Sequence, residues 1–269
     1  MSGNQITDVS VLSNLIKLDT LDLSGNQIEN LNGLQNLVEL QELYLSSNRI
    51  IDLSPLASLT NLGYLHLVNN QIQDCTALAS LDGLNELCLC YNLISCIEPL
   101  RNLQNLFFLS ATNNEISDIS PLSTLVELHR LHLTSNNISN LSPLSNLINL
   151  EALELDCNRI KDITPLYTLT SVYELSIQSN EISCLWPLTY MTSLTALELD
   201  CRTFYDREVL GLLDKTVKMT YHCDQRRGDV CTCDADNEGP DYDSDNEGSD
   251  SDSYNEGSDS DSDYEGSDY

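Results

Sequence analysis

One asparagine recurs at a fixed step of 22 residues, from Asn4 through Asn26, Asn48, Asn70, Asn92, Asn114, Asn136 and Asn158 to Asn180. Isoleucine stands two positions after each, from Ile6 to Ile182. Ahead of Asn26 and every later member runs an apolar frame of the form L-x-x-L-x-L-x-x-N, as in Leu18, Leu21, Leu23 and Asn26. A ninth frame, Leu194, Leu197 and Leu199, ends on Arg202 where the next asparagine would fall. A period in the range of about 20–29 residues means one supersecondary unit per repeat. Such units stack until neighbours bury one continuous core, so the chain is read as a solenoid.

The asparagine has a mechanical task. Each coil turns sharply out of its strand and leaves buried backbone donors and acceptors without partners. An amide side chain offers both kinds of group and can serve the loops beside it. The ladder is therefore read as structural, with no catalytic role. Seven positions after the asparagine, proline recurs at Pro55, Pro99, Pro121, Pro143, Pro165 and Pro187, each followed by leucine. Proline there forbids a long helix unless it lies in the first turn. The side opposite the strands should be extended chain with short 3₁₀ turns, and helix content should be low.

Both ends depart from the pattern. Met1 falls inside a repeat, because MSGNQI copies the LSGNQI of Leu23 to Ile28 without the strand before it. The expectation is a start further upstream or an unusual one. After Leu199 the frame breaks. Val209, Leu212 and Leu213 form an apolar stripe at helical spacing within 205–220, which predicts a short closing helix and then an edge strand near Val217 to Tyr221. The expected organisation is a solenoid over 1–200, a cap over 201–222, a linker over 223–233 and a tail over 234–269.

The chain carries a net charge of −30. Asp234 to Tyr269 holds 15 acids and no base, leaving 27 acids against 12 bases elsewhere. Such a chain should avoid nucleic acid and anionic membrane, and could attract basic proteins. The tail is poor in aliphatic residues and rich in one sign of charge, so it is expected to be disordered. Its Ser244, Ser249, Ser253, Ser258, Ser260 and Ser262 each have an acid three residues on. They resemble substrates of the acidophilic casein kinase 2 and are the phosphorylation candidates. No apolar run approaches about 18 residues, so no membrane span is expected.

The ten cysteines do not form a disulfide framework by spacing. Cys75 replaces a core leucine, and Cys96, Cys157, Cys184 and Cys201 fall in turns of separate coils. Free thiols and an intracellular location, cytoplasmic or nuclear, are expected. His222, Cys223, Cys231 and Cys233 could supply zinc ligands, but their spacing lacks the usual C-x-x-C pairs. Cys88 and Cys90 with His66 form another possible metal set. No metal or cofactor is expected.

Along each strand the leucines point inward and the residues between them line the outer sheet face. The first half of that face gathers Asp22, Glu42, Tyr44, Tyr64, His66, Glu86, Phe108 and His132. The second half is acidic, with Glu154, Asp156, Glu174, Glu198 and Asp200. Exposed aromatics on a rigid face are usual interface anchors, and an acidic rim steers basic partners. Tyr44, Tyr64 and Phe108 are expected to be exposed. His66 and His132 lie three strands, or ~14 Å, apart. No nucleophile, base and orienting group converge, so no enzymatic activity is expected.

The full repeat, L-x-x-L-x-L-x-x-N-x-I-x-x-[LI]-x-P-L-x-x-L, resembles two families of 22-residue leucine-rich repeats. One is the leucine-rich regulatory subunit of protein phosphatase 1. The other is the bacterial internalins, whose repeats favour the D-I-S-P-L form seen at Asp118 to Leu122. The resemblance implies an α/β solenoid, a leucine-rich-repeat horseshoe with a parallel concave sheet. Tyr205, Arg207, Val209, Leu213 and Val217 look like the cap of the phosphatase subunit. Internalins are secreted, with a helical N-terminal cap and an immunoglobulin-like domain that have no counterpart in this sequence. Asp22, Tyr44 and Glu154 are similar in kind to the residues with which the phosphatase subunit grips its enzyme, while His66, Cys88, Ser176 and Glu198 depart. The resemblance implies a non-catalytic protein-binding scaffold with a phosphatase catalytic subunit as candidate partner. A solenoid followed by an acidic tail is also similar to the acidic leucine-rich nuclear phosphoproteins, which implies a histone or basic-protein chaperone as the alternative.

Overall fold

The computed structural model describes residues 1–200, 207–213 and 217–222. Ten parallel strands form one sheet in strict sequence order. They are β1 (Thr20–Asp22), β2 (Glu42–Tyr44), β3 (Tyr64–His66), β4 (Glu86–Cys88), β5 (Phe108–Ser110), β6 (Arg130–His132), β7 (Ala152–Glu154), β8 (Glu174–Ser176), β9 (Ala196–Asp200) and β10 (Lys218–His222). The register never slips: Tyr44 pairs with His66, His66 with Cys88, Cys88 with Ser110 and Ser110 with His132. Residues 22 apart therefore form straight columns across the sheet. The strand expected near Val217 is present as β10, parallel to β9. The helix expected before it is a single turn, α1 (Arg207–Leu210).

The far side of each coil carries a short 3₁₀ segment, such as Ser54–Leu56 or Glu98–Asn102, with proline at its first turn where one is present. A carboxylate fixes the entry to several of them. Asp52, Asp118 and Asp162 each accept a 2.8 Å hydrogen bond from the backbone N–H two residues on. No helix among the described residues is long and apolar enough to cross a membrane.

One continuous core runs through the stack, from Val9 and Leu12 to Val209, Leu213 and Val217. Cys75 takes a leucine place in it and is 1% exposed. Its thiol donates to the Cys96 carbonyl at 3.3 Å. The asparagines behave as the sequence requires. Asn48 Oδ1 accepts from the Ile28 N–H, while its Nδ2 donates to the Leu23 and Leu45 carbonyls, each at 3.0 Å. The isoleucine of one coil is thus bonded by the asparagine of the next. The same bridge repeats through Asn180, which receives the Ile160 N–H.

The expectation of free thiols holds for Cys75, Cys88, Cys90, Cys96 and Cys184. It fails at Cys157, which is disulfide-bonded. Its spacing from the other cysteines in sequence gives no sign of this.

Gly33 is where the N-terminal coil is closed most tightly. Its φ is +107°, and a Cβ there would sit 2.7 Å from Ser10 Cα and 3.1 Å from the Val9 carbonyl oxygen. Both obstacles are backbone and cannot turn aside. Gly33→Ala is expected to cost about 1–3 kcal/mol from strained φ and overpacking. Urea unfolding would show it as a lower midpoint, and an unchanged midpoint would mean that the Ser10 loop yields freely.

Candidate functional site

The outer sheet face is built from the columns that the register creates. In its first half Tyr44 Oη donates to Glu42 Oε2 at 3.1 Å. Burial, then this bond and the nearby carboxylates, push the Tyr44 phenol up to about 12. The Tyr44 ring meets His66 edge-on with centroids 4.9 Å apart. His66 Nε2 lies 2.8 Å from Glu86 Oε1, and the two side chains are only 18% and 15% exposed. Tyr64 stands out, 42% exposed. At the sheet's first strand Asp22 accepts from the Ser24 N–H at 2.9 Å. Burial works to raise its carboxyl, but the hydrogen bonds from Ser24 and Ser2 and the N-terminal charge together outweigh that and hold it below the usual range.

Phe108 is not the exposed anchor that alternation suggests. It is 6% exposed, with its ring edge-on to His132 at 5.2 Å. Alternation assigns a residue to a face but says nothing of how far its neighbours cover it, and here His132 of the next strand packs against the ring. Cys90 also departs from expectation. Its Sγ turns to Ser110 Oγ at 2.8 Å and away from His66. Glu86 takes its place beside His66 and Cys88.

The second half is a crowd of carboxylates. Glu154 lies 3.7 Å from His132 Nε2, beyond hydrogen-bond reach. Burial, then the charge of Arg130, pulls His132 down to about 4, so the imidazole is neutral at neutral pH and does not compensate its neighbour. Burial, then Asp156, Glu174 and Glu198, push Glu154 up to about 7. Asp156 rises to about 6, chiefly by burial, although Ser176 and Gln178 donate to it. The Ser176 hydroxyl reaches its two oxygens at 2.6 and 2.7 Å, and the Gln178 N–H reaches Oδ1 at 2.6 Å. Gln178 Nε2 in turn donates to Glu198 Oε2, and the Ser179 N–H donates to Asp200 Oδ2 at 2.7 Å. Glu174 points outward, exposed.

The structure gathers the expected face residues into two side-chain clusters. Tyr44, Glu42, His66 and Glu86 come together in one. Glu154, Asp156 and Glu198 come together in the other. Ser176 and Gln178, which hold the second cluster in place, were not foreseen. The sign available was their phase, since both belong to columns flanking the acids. A convex aromatic group was also missed. Tyr167 and Trp186 lie 6.1 and 6.4 Å from Tyr190, ring centre to ring centre, and all three are about half exposed. A depression of about 630 Å³ at the strand starts is lined by Asn85, Gln104, Phe107, Val126 and Glu127, and by none of the expected face residues except through the backbone neighbours of Glu86 and Phe108. The phosphorylation candidates Ser244 to Ser262 and the linker cysteines lie outside the described residues.

The family model described as "Leucine Rich repeats (2 copies)" matches residues 1–36, 38–80, 104–146 and 126–168, together more than half of the chain. The chain belongs to the leucine-rich-repeat family. Among solved structures, this leucine-rich-repeat chain is 35% identical to an internalin (InlF) of Listeria monocytogenes, with TM-score 0.70 over 84% of this chain and 74% of that one. It is 32% identical to internalin C2 of the same species, with TM-score 0.68 over 74% of this chain and 99% of that one. A leucine-rich-repeat protein of Leptospira interrogans is 25% identical, with TM-score 0.75 over 82% and 59% of the two chains. No curated protein sequence matches the chain. Leucine-rich-repeat proteins generally act as protein-binding scaffolds without catalytic activity.

Proposed function

We propose that this chain is a non-catalytic scaffold whose concave face docks a basic surface of a partner protein. The observation that carries the reading is Glu154. It is a part-covered carboxylate, its side chain 40% exposed, pushed up to about 7, with a neutral imidazole beside it and no cation of the described residues in reach. An electrostatic debt of this kind at a cleft marks a functional site more often than a structural one. A lysine or arginine from a partner would settle it. Glu174 and Glu198 would steer that approach, and the exposed Tyr64 ring would supply an apolar anchor at the other end. A phosphatase catalytic subunit is the first named candidate, on the resemblance of Asp22, Tyr44 and Glu154 to its regulatory subunit's contact column.

The test is affinity purification with mass spectrometry on the full chain, beside the double variant Tyr64→Ala/Glu174→Gln. Both side chains are exposed, so the fold should be unaffected. The partner that depends on this face should bind at least about 10-fold more weakly to the variant, which is the size of one hot-spot loss. Equal binding by both proteins would sink the reading. The alternative, a histone or basic-protein chaperone, is favoured by the 15 tail acids without a base. Deleting residues 234–269 separates the two, since a concave-face partner survives the deletion and a tail partner does not.

A further inference from the structure

The cluster at the middle of the first half of the face brings three metal-ligating side chains together. His66 stands on β3, and Glu86 and Cys88 stand on β4, two residues apart and so on one side of the strand. One ligand-capable atom of each, the His66 ring nitrogen, a Glu86 carboxylate oxygen and Cys88 Sγ, lies within 4.8 Å of the other two. We propose that His66, Glu86 and Cys88 form a binding site for a zinc-class divalent ion, with its fourth position open to the concave groove.

The donor set selects the metal. A thiolate and an imidazole suit zinc and its softer relatives, whereas magnesium and calcium require oxygen ligands throughout. Bound distances are about 2.0–2.3 Å for these three donor types, so ligand atoms around one ion stand roughly 3–4 Å apart. His66 Nε2 and Glu86 Oε1, now 2.8 Å apart, need only part slightly for an ion to replace their hydrogen bond. Cys88 Sγ, within 4.8 Å of the other two atoms, must close by about 1–2 Å at most to reach ligand spacing, within the reach of side-chain rotation. The backbone is already fixed, because both strands belong to an unbroken parallel ladder. The Tyr44 ring packed edge-on against His66 restrains the imidazole plane.

The burial order fits an ion held at the floor of a groove. Cys88 is 8% exposed, and His66 and Glu86 are somewhat more open. Three protein ligands with one open position is the arrangement of zinc sites that accept a further ligand rather than closed structural ones. Water or a partner's side chain would complete it. Cys90 is committed to Ser110 and takes no part.

Cobalt(II) titration of the full-length protein under argon, with the Cys157 disulfide intact and Cys88 free, tests the site, since cobalt reports thiolate ligation by a charge-transfer band in the near ultraviolet and tetrahedral geometry in the visible. The wild type should bind one equivalent with both bands, and zinc should bleach them. Cys88→Ser and His66→Gln should each lose the thiolate band of that equivalent, while Cys90→Ser keeps it. Unfolding curves without metal show whether each variant is folded. If Cys88→Ser loses stability, His66→Gln carries the test, because its side chain is replaced by one of similar reach. Zinc should raise the Tm of wild type and leave that of His66→Gln unmoved. Absence of the band in wild type, or a band unchanged by both Cys88→Ser and His66→Gln, overturns the proposal. The second outcome would also move any metal to the cysteines of 223–233.

Discussion

Asn92→Ala is expected to destabilise the solenoid by about 3–5 kcal/mol. The side chain makes four hydrogen bonds in a buried setting. Its Oδ1 accepts from the Ile72 N–H at 3.0 Å, and its Nδ2 donates to the carbonyls of Leu67, Leu89 and Cys90 at 2.9, 3.0 and 3.2 Å. Alanine removes all four and leaves the Ile72 N–H in the core without a partner. A typical bond contributes ~0.5–1.5 kcal/mol net, and a stranded buried donor costs about 1–3 kcal/mol by itself. Two coils lose their tie at once, because Ile72 and Asn92 belong to successive repeats. In a stack whose units couple to nearest neighbours, such a break near the middle should split or broaden the urea transition. Asn4→Ala is the control. Asn4 is exposed and donates only to the Met1 and Ser2 carbonyls, so its loss should fall within about 0.5 kcal/mol. Equal effects at the two positions would mean that water replaces the amide and that the ladder is ornament.

The same ladder shows why some features were legible in the sequence and others were not. Every core position keeps one phase in the 22-residue step, so burial of Leu43, Ile50 or Cys75 followed from spacing alone. The residue before each asparagine also keeps one phase, and it is left-handed in coil after coil: Ser47, Asn69, Tyr91, Asn113, Ser135, Cys157 and Ser179 have φ between 50° and 56°. No residue type marks it, although Gly3 and Gly25 occupy the same place with φ of 67° and 65°. The turn is imposed by the strand before it and the asparagine after it, and the strain of about 1–2 kcal/mol per residue is absorbed by those bonds. The concave clusters were legible only as columns. Depth and diagonal neighbours decide their chemistry. Phe108 is covered because the adjoining columns are bulky. Glu86 reaches His66 across one strand and back two residues, a relation that a column hides. Gln178, two residues past Ser176, ties Asp156 to Glu198 over 42 residues of chain.

Stability should fall by about 2–3 kcal/mol as pH rises from 4 to 8, and Glu154→Gln should remove roughly a third to a half of that fall. Glu154 moves from an ordinary value of 4.5 to about 7 on folding, and Asp156 from 3.8 to about 6. A carboxyl whose folded value is raised holds its proton more tightly in the native state. The stability this gives is fully present below about pH 4 and is lost as pH climbs through 6 to 7. Each pKa unit is worth about 1.4 kcal/mol in full. The Glu154 side chain is 40% exposed, so water screens its share to about 1 kcal/mol. Asp156, held by Ser176 and Gln178, contributes about 1–2 kcal/mol. Glutamine keeps the shape of Glu154 without the charge, and no described residue donates a hydrogen bond that the change would break. The variant should therefore match wild type near pH 4 and exceed it by about 1 kcal/mol at pH 8, as read from urea midpoints across that range. The general repulsion of a chain at −30 runs in the same direction but is barely altered by one substitution, so it cannot imitate the divergence. Parallel curves for the two proteins would place the titrating carboxylates elsewhere. They would also remove the argument that a partner's cation is drawn to Glu154, because that argument and the pH slope rest on the same uncompensated charge.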